Sequence, residues 1–186
     1  MTGKPKKFEE LVITVSGYHG SGRSTHAIRL AETFGLRYVS SGTIFRQLAQ
    51  ERGLSLEEMS KLTEEDSEID RMIDERAKEE SKKPGVVIDA TLAGWMAEDP
   101  DIRIFLLTSF EERIRRIADR EDTSFEEAEK ETVAREESEK ERFRIYYNVK
   151  IEDLSIYDAV LNTELFEEDA TARILKSVVE EYCSAR

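Results

Sequence analysis

The apolar stretch Leu11-Val-Ile-Thr-Val15 runs, after one serine, into the glycine-rich stretch Gly17-Tyr-His-Gly-Ser-Gly22-Arg23-Ser24. The first stretch is rich in β-branched residues and stops at a glycine, which predicts a short buried strand. Beyond Ser24, apolar residues recur at helical spacing as far as Phe34, and Gly35 stands where a helix C-terminal cap belongs. The glycine-rich stretch is therefore predicted to be a loop that joins a strand to a helix.

This loop has the spacing G-x-x-x-x-G-[basic]-[ST], which is typical of loops that bind nucleotide phosphates. Its glycines let backbone N–H groups curl around phosphate oxygens, and the helix N-terminus that follows favours negative charge. The Ser24 hydroxyl is placed to ligate Mg²⁺, and Thr25 is placed to touch an α-phosphate. The side chains of His19 and His26 are expected to face solvent, because such a loop works through its backbone. We predict ATP contacts from Gly17, Tyr18, His19, Gly20, Ser21, Gly22, Arg23, Ser24 and Thr25.

Arg23 stands where this motif has lysine. Arginine keeps the positive charge and can grip phosphate bidentately, but it is bulkier than lysine and is not a point charge. We expect Arg23 to be a working, catalytic substitute. Two alternatives stay open: a glycine-rich turn that binds nothing, and a nucleotide-binding loop that has lost its catalysis.

The remainder of the chain alternates strand and helix signals. This alternation predicts a mostly parallel five-stranded sheet covered by helices on both faces, a three-layer α/β/α fold. Ligands of such sheets bind beyond the carboxyl ends of the strands, where Ser16–Ser24, Ser40–Ser41 and Asp89–Thr91 are expected to converge. Besides 11–15, strands are predicted at 37–39, 86–88, 102–107 and 159–161, and helices at about 43–52, 110–120, 124–146 and 170–182, with a charged helical stretch over 55–83.

Length and composition limit the class of protein. The 186 residues fit one compact domain, and the net charge of −13 disfavours non-specific binding to nucleic acid or to an anionic membrane. Neither a run of roughly 18 apolar residues, as a membrane span needs, nor a signal-peptide core is present. A lone cysteine, Cys183, cannot form an internal disulfide. We expect a cytoplasmic protein.

A second phosphate-binding segment is predicted at Ser41-Gly-Thr-Ile-Phe-Arg46, which follows the second predicted strand and opens a helix. Arg46 lies one turn into that helix and can reach a phosphate near its N-terminus. Ser41 offers a hydroxyl group and an N-cap. The alternative, simple capping beside a surface arginine, stays open from these residues alone.

Five segments in order resemble the cytidylate kinases, most closely the archaeal form, with the adenylate kinases as more distant relatives. The resemblance covers about residues 11–180. The segments are the glycine-rich loop, 40–46 (SSGTIFR), 87–96 (VIDATLAGWM), 135–139 (REESE), and 154–158 (LSIYD) leading to Asn162-Thr163.

The resemblance implies a P-loop NTPase fold with an acceptor-binding helical segment over about 42–83 and an arginine-bearing lid over about 121–148, within one domain spanning 1–186. It implies a nucleoside-monophosphate kinase that uses ATP and Mg²⁺ to phosphorylate CMP or dCMP, and we expect a monomer. The family residues that match Ser41 and Arg46 hold the monophosphate. The resemblance also favours catalytic roles for Arg135 and Arg142, with Glu139 between them as a ribose or acceptor contact.

One departure from the family pattern concerns the string Asp89-Ala90-Thr91. The family usually has an acceptor-binding arginine where this chain has Thr91, which can hydrogen-bond the acceptor but brings no charge. Asp89, at the end of a strand, is predicted to orient Mg²⁺-bound water as a catalytic group. A strand-end cap is the alternative role for Asp89.

Arginines on the later helices have two open roles. Arg113, Arg116 and Arg120 share one helical face, as expected either for phosphate contacts or for ordinary solvated ion pairs. We assign Arg120 to ATP. Two other functions also stay open: another small-acceptor kinase such as an adenylate kinase, and a non-catalytic nucleotide-binding protein with a degenerate loop.

Overall fold

Five parallel strands form the central sheet in the computed structural model, which describes residues 6–65 and 68–184. The strand order is β2-β3-β1-β4-β5, so the strand that precedes the glycine-rich loop lies in the middle. The fold class predicted from the sequence is confirmed. The strands are β1 (Val12–Gly17), β2 (Arg37–Ser40), β3 (Val86–Asp89), β4 (Ile102–Leu107) and β5 (Ala159–Asn162).

Helices cover both faces of this sheet. Along β1 the side chains alternate: Ile13 and Val15 pack in one apolar cluster with α1 and α8, whereas Val12 packs in another with α2 and α4. Because alternate side chains of the strand point to opposite faces of the sheet, helices pack on both faces and the fold has three layers. The helices are α1 (Arg23–Phe34), α2 (Ser41–Glu51), α3 (Leu56–Glu65), α4 (Glu68–Ser81), α5 (Ala93–Met96), α6 (Phe110–Glu121), α7 (Phe125–Tyr147) and α8 (Glu168–Ser184).

The N-cap residue of α2 differs from the prediction by one position, and the helix begins at Ser41 rather than at about residue 43. Ser40, not Ser41, is the N-cap: its hydroxyl accepts from the backbone N–H of Thr43, and the Thr43 hydroxyl accepts from the N–H of Ser40. This reciprocal capping box satisfies two helix-end donors. The prediction of Ser41 as the cap is therefore wrong, and the Ser41 hydroxyl is left for another role.

Strand register places the ends of three strands side by side. Asp89 on β3 is paired with Val15 on β1 and with Ser40 on β2. The glycine-rich loop, the start of α2 and the turn after β3 therefore emerge at one edge of the sheet, as expected for parallel strands. Residues 66 and 67, in the predicted acceptor-binding segment, lie outside the described residues. Within the described ranges, no helix has both the length and the apolar character that crossing a membrane requires.

Candidate active site

Glycines in the loop are required by close packing and by backbone geometry. Gly20 has φ +80°, and a Cβ atom there would lie 2.6 Å from the backbone oxygen of Arg113 on α6. Gly22, at φ +81°, is the N-cap of α1. Both conformations are left-handed and favour glycine. The loop is thus wrapped tightly between β1 and α6, with the N-terminus of α1 at its far end.

Arg23 is folded back across the loop rather than extended into solvent. Its Nη1 donates to the carbonyl oxygen of Gly17 at 2.8 Å and to the hydroxyl of Thr91 at 2.9 Å. Its Nε donates to Asp89 at 2.5 Å. The two residues at which the chain departs from the pattern it resembles, Arg23 and Thr91, are therefore in contact.

Asp89 is the buried partner of this arginine. Its side chain is 1% exposed, and its second carboxylate oxygen accepts from the Tyr38 hydroxyl at 2.7 Å. Burial, followed by the charge of Asp89, raises the pKa of Tyr38, so the phenol remains a donor. Both oxygens of Asp89 are thus engaged, by a cation on one side and by a hydroxyl on the other.

A cavity of about 380 Å³ lies between α2, α4, α7 and the turn after β3; we call it the first cavity. This volume falls within the range of small-molecule sites. Arg46 does not line the first cavity, but its Nη1 lies 3.7 Å from the place of a Cβ on Gly42, which does. The structure brings five of the predicted residues together in its wall: Ser41, Thr91, Arg135, Glu139 and Arg142.

Four residues with polar side chains in the wall of the first cavity were missed by sequence reasoning. The Tyr147 hydroxyl donates to Asp74 on α4 at 3.0 Å, and the guanidinium of Arg71 lies 5.7 Å from the ring centroid of Tyr146. Burial, and then Asp74, raises the pKa of Tyr147. No sequence signal singled them out, because Arg71 and Asp74 lie in a helix so charged that a solvated face was the ordinary expectation.

His19 connects the loop to α7. Its Nε2 lies 3.0 Å from both carboxylate oxygens of Glu139, and the two side chains are 15% and 13% exposed. Burial raises the pKa of Glu139, but the hydrogen bond and charge of His19, with Arg135 and Arg23, outweigh it and leave the pKa below its ordinary value. The expectation that the side chains of His19 and His26 face solvent is wrong for both, because His26 is also buried, at 4% exposure.

Arg113 makes a second connection between the same elements. Its guanidinium is buried, pairs with Glu136 of α7 at 2.6 Å, and donates to the carbonyl oxygen of His19 at 2.9 Å. It also lies 5.0 Å from the ring centroid of Tyr18. Arg113 therefore holds the loop against both α6 and α7.

A second cavity, of about 470 Å³, lies on the other side of the loop, between the start of α1, α6 and the turn after β5. Arg116 lines it and donates to the hydroxyl of Thr163 at 3.1 Å. The structure does not bring Arg120 to the loop: Arg120 is exposed and pairs with the adjacent Glu121. Arg116, on the same helix, lines the second cavity, whereas Arg120 does not. The wall also includes Gly22, Thr25, His26, Leu165 and Phe166.

Comparison with known proteins gives a consistent result. The model of the cytidylate kinase-like family matches residues 12–165. A cytidylate kinase of Pyrococcus horikoshii is 42% identical, with 92% of this chain and 90% of that protein covered. A cytidylate kinase of Natronomonas pharaonis is 47% identical, with 92% and 91% covered. The solved shikimate kinase of Acinetobacter baumannii, in complex with shikimate, aligns with a TM-score of 0.60 at 17% identity over 94% of this chain and 96% of that one, which shows a shared fold.

The buried pair of Arg113 and Glu136 generates a stability prediction. We expect Glu136→Ala to lower the free energy of unfolding by roughly 3–5 kcal/mol, because the arginine charge is left buried without its partner. Replacing both residues, Arg113→Met with Glu136→Leu, should cost less than the single change. Denaturant unfolding measures both.

The matched control is Glu111→Ala, which removes the partner of Arg115 in an exposed pair on α6. Its effect on the unfolding midpoint should be small, because exposed pairs contribute little. A Glu136→Ala protein as stable as this control would contradict the role given to the buried pair.

Proposed function

This chain belongs to the cytidylate kinase-like family, and we propose that it transfers the γ-phosphoryl group of ATP to CMP or dCMP, giving ADP and CDP or dCDP. The observation that carries the proposal is the position of the phosphate loop between two cavities. A two-substrate phosphoryl transfer needs a donor site and an acceptor site that meet at the phosphates.

The donor, ATP, is proposed to bind with its phosphates on the loop from Gly17 to Thr25. The loop amides and the N-terminus of α1 provide fixed donors for phosphate oxygens. The second cavity, with Arg116 and Phe166 in its wall, is the proposed place for the base. Arg120, exposed and paired with Glu121, is a weaker candidate for an ATP contact than Arg116.

Mg²⁺ is the proposed cofactor, and the available donors fit it. Ser24 presents an exposed hydroxyl at the start of α1, and Asp89 contributes carboxylate oxygens nearby on β3. Oxygen donors in small number suit Mg²⁺, which keeps waters and binds substrate phosphates. Among the described residues no cluster of three or more His, Cys, Asp or Glu side chains could hold a metal by itself. Bound Mg²⁺ would neutralise phosphate charge, and Asp89, already engaged by Arg23 and Tyr38, would act on its water shell.

The acceptor is proposed to lie in the first cavity, which belongs in part to the segment 42–83. Its phosphate would approach Ser41 and Arg46 at the start of α2. Its base would face α4, where Asp74 can accept from the amino group of cytosine and Arg71 can donate to the C2 carbonyl oxygen. These pairings suit cytosine, whereas uracil presents an oxygen in place of the amino group.

Transfer itself forms a bond between an acceptor phosphate oxygen and the γ-phosphorus and breaks the bond to the β–γ bridging oxygen. Catalysis is then mostly positioning and charge stabilisation. We propose the region 121–148, centred on α7, as the lid that supplies Arg135 and Arg142 and excludes water. Glu139, between them, would contact the acceptor or its ribose.

The names of the curated relatives favour CMP over AMP as acceptor. A non-catalytic binder is disfavoured by the meeting of Ser41, Arg135 and Arg142 in one cavity beside the loop. A cytoplasmic location, a monomeric state and the absence of nucleic-acid binding remain predictions, the last supported by the net charge of −13.

The substrate proposal is tested by coupled ADP release with ATP, Mg²⁺ and one monophosphate at a time. CMP or dCMP should stimulate release most, because the first cavity offers a carboxylate to the cytosine amino group. Better stimulation by AMP or UMP would show that the proposed acceptor is wrong, although the protein would still be a nucleoside-monophosphate kinase. If no monophosphate stimulates ADP release, the proposed kinase activity is wrong.

Truncation of Arg46 and truncation of Arg142 should change different kinetic constants. Arg46→Ala should mainly raise KM for CMP, since this residue grips the ground-state phosphate. Arg142→Ala should mainly lower kcat, by about 10²-fold, below the roughly 10³–10⁵-fold that one transition-state arginine can supply, because Arg135 shares the charge. Arg144→Ala, exposed on the same helix, is the control. Unchanged kcat in Arg142→Ala would return Arg142 to a structural role.

Base selectivity is tested at Asp74. Asp74→Asn should lower kcat/KM for CMP by roughly 10–100-fold, as expected for a lost hydrogen bond to a charged group, and should affect UMP less. Tyr147→Phe, which removes only the hydroxyl bound to Asp74, should preserve the CMP preference. Glu79→Gln, exposed on the same helix, serves as control. An unchanged CMP/UMP ratio in Asp74→Asn would exclude Asp74 from base recognition.

A further inference from the structure

We infer that Arg23 and Thr91 act as one unit in which the loop arginine serves the acceptor phosphate as well as the donor. Thr91 and Asp89 hold the Arg23 guanidinium on the acceptor side of the loop, and this arrangement requires an uncharged residue at position 91. The inference rests on the proposed function and deepens it by assigning Arg23 to both substrates.

The position of the guanidinium is the first support. Its Nη1 lies 2.9 Å from the hydroxyl of Thr91, and Thr91 lines the first cavity beside Ser41 and Arg142. The same Nη1 lies 2.8 Å from the carbonyl oxygen of Gly17, where the loop begins. The charge of Arg23 thus stands at the boundary between the phosphate loop and the first cavity.

The use of its donors is the second support. Nε is taken by Asp89, and Nη1 is shared by Gly17 and Thr91, whereas Nη2 donates to no group among the described residues. A guanidinium held at two of its three nitrogens presents the third in a fixed direction. The arginine side chain as a whole is 14% exposed, and Nη2 is the nitrogen that we assign to the acceptor phosphate.

The third support is the electrostatic effect of Arg23 on a residue in the wall of the first cavity. Glu139 lies in the wall of the first cavity, and the charge of Arg23 is among those that hold the pKa of Glu139 below its ordinary value against the effect of burial. The field of the loop arginine is therefore felt inside the first cavity and not only at the loop.

On this inference, replacing Arg23 by lysine alone or Thr91 by arginine alone weakens the acceptor site. A lysine at position 23 carries a compact ammonium on a flexible stem, which cannot hold Asp89 and Thr91 with a fork of fixed geometry. A cation at position 91 would face the guanidinium within hydrogen-bond distance, and like charges so close repel. With the smaller lysine at 23, however, an arginine at 91 would have room and could supply the acceptor-side charge itself.

A four-protein cycle tests the inference: wild type, Arg23→Lys, Thr91→Arg and the double variant, each with KM for ATP and for CMP and with kcat. Arg23→Lys should raise KM for CMP several-fold more than KM for ATP. Thr91→Arg should lower kcat/KM for CMP strongly. The double variant should exceed Thr91→Arg by roughly tenfold or more, a coupling within the range seen for residues in contact. The matched control is Arg37→Lys, because the guanidinium of Arg37 pairs with Glu80 and neither residue lines either cavity.

Additive effects in the cycle, or equal rises in KM for both substrates in Arg23→Lys, would overturn the inference. Thermal unfolding checks that each protein folds. If Thr91→Arg does not fold, Thr91→Val replaces it: KM for CMP should rise when residue 23 is arginine and stay unchanged when it is lysine, and an equal rise in both backgrounds overturns the inference. A wild type that phosphorylates no monophosphate would defeat the proposed function and this inference together, whereas an active wild type with additive variants would defeat this inference alone.

Discussion

The buried ion pair between Arg23 and Asp89 is the interaction on which the arrangement of the site depends. Asp89 ends a strand next to the central one and is 1% exposed, so its charge needs a partner. Arg23, the first residue of α1, provides it by folding back over the loop. Breaking such a pair from one side is costly because the remaining charge stays buried. The pair thereby fixes the end of β3, and Thr91 beyond it, against the phosphate loop.

A second set of contacts attaches α7 to the same loop. His19 meets Glu139, and Arg113 meets both Glu136 and the carbonyl oxygen of His19. The two carboxylates are three residues apart, close to one helical turn, and lie on one side of α7. Arg135 and Arg142 are carried on that helix, so the position of these arginines is linked to the conformation of the loop. Occupation of the loop and placement of the arginines are therefore expected to be coupled through packed side chains.

The protein is acidic, but its site is built to bind negatively charged phosphates. The net charge is −13, yet arginines line or border the first cavity, and two of them are held by carboxylates: Arg23 by Asp89, and Arg135 by Glu139. Each carboxylate keeps its arginine in place and lowers the local positive potential until phosphate arrives. The attraction for phosphate is thus confined to the cavity walls, while the surface as a whole repels polyanions.

The sequence by itself determined the parallel α/β/α fold and the loop, because these follow from local signals: β-branched runs, glycine spacing and strand-helix alternation. In the wall of the first cavity, Arg135, Glu139 and Arg142 were predicted from the family resemblance and not from such signals. The sequence could not place side chains whose partners are remote in the chain. His19 faces Glu139, 120 residues away, instead of solvent. Arg71 and Asp74 enter the first cavity because the end of α7, which carries Tyr146 and Tyr147, lies beside α4. Arg116 lines the second cavity whereas Arg120 is exposed, because α6 buries Ile114, Ile117 and Ala118 against α7 and this packing sets its rotation. The contact of Arg23 with Thr91, 68 residues apart, was decided by tertiary structure alone, since only the strand register brings the end of β3 beside the loop.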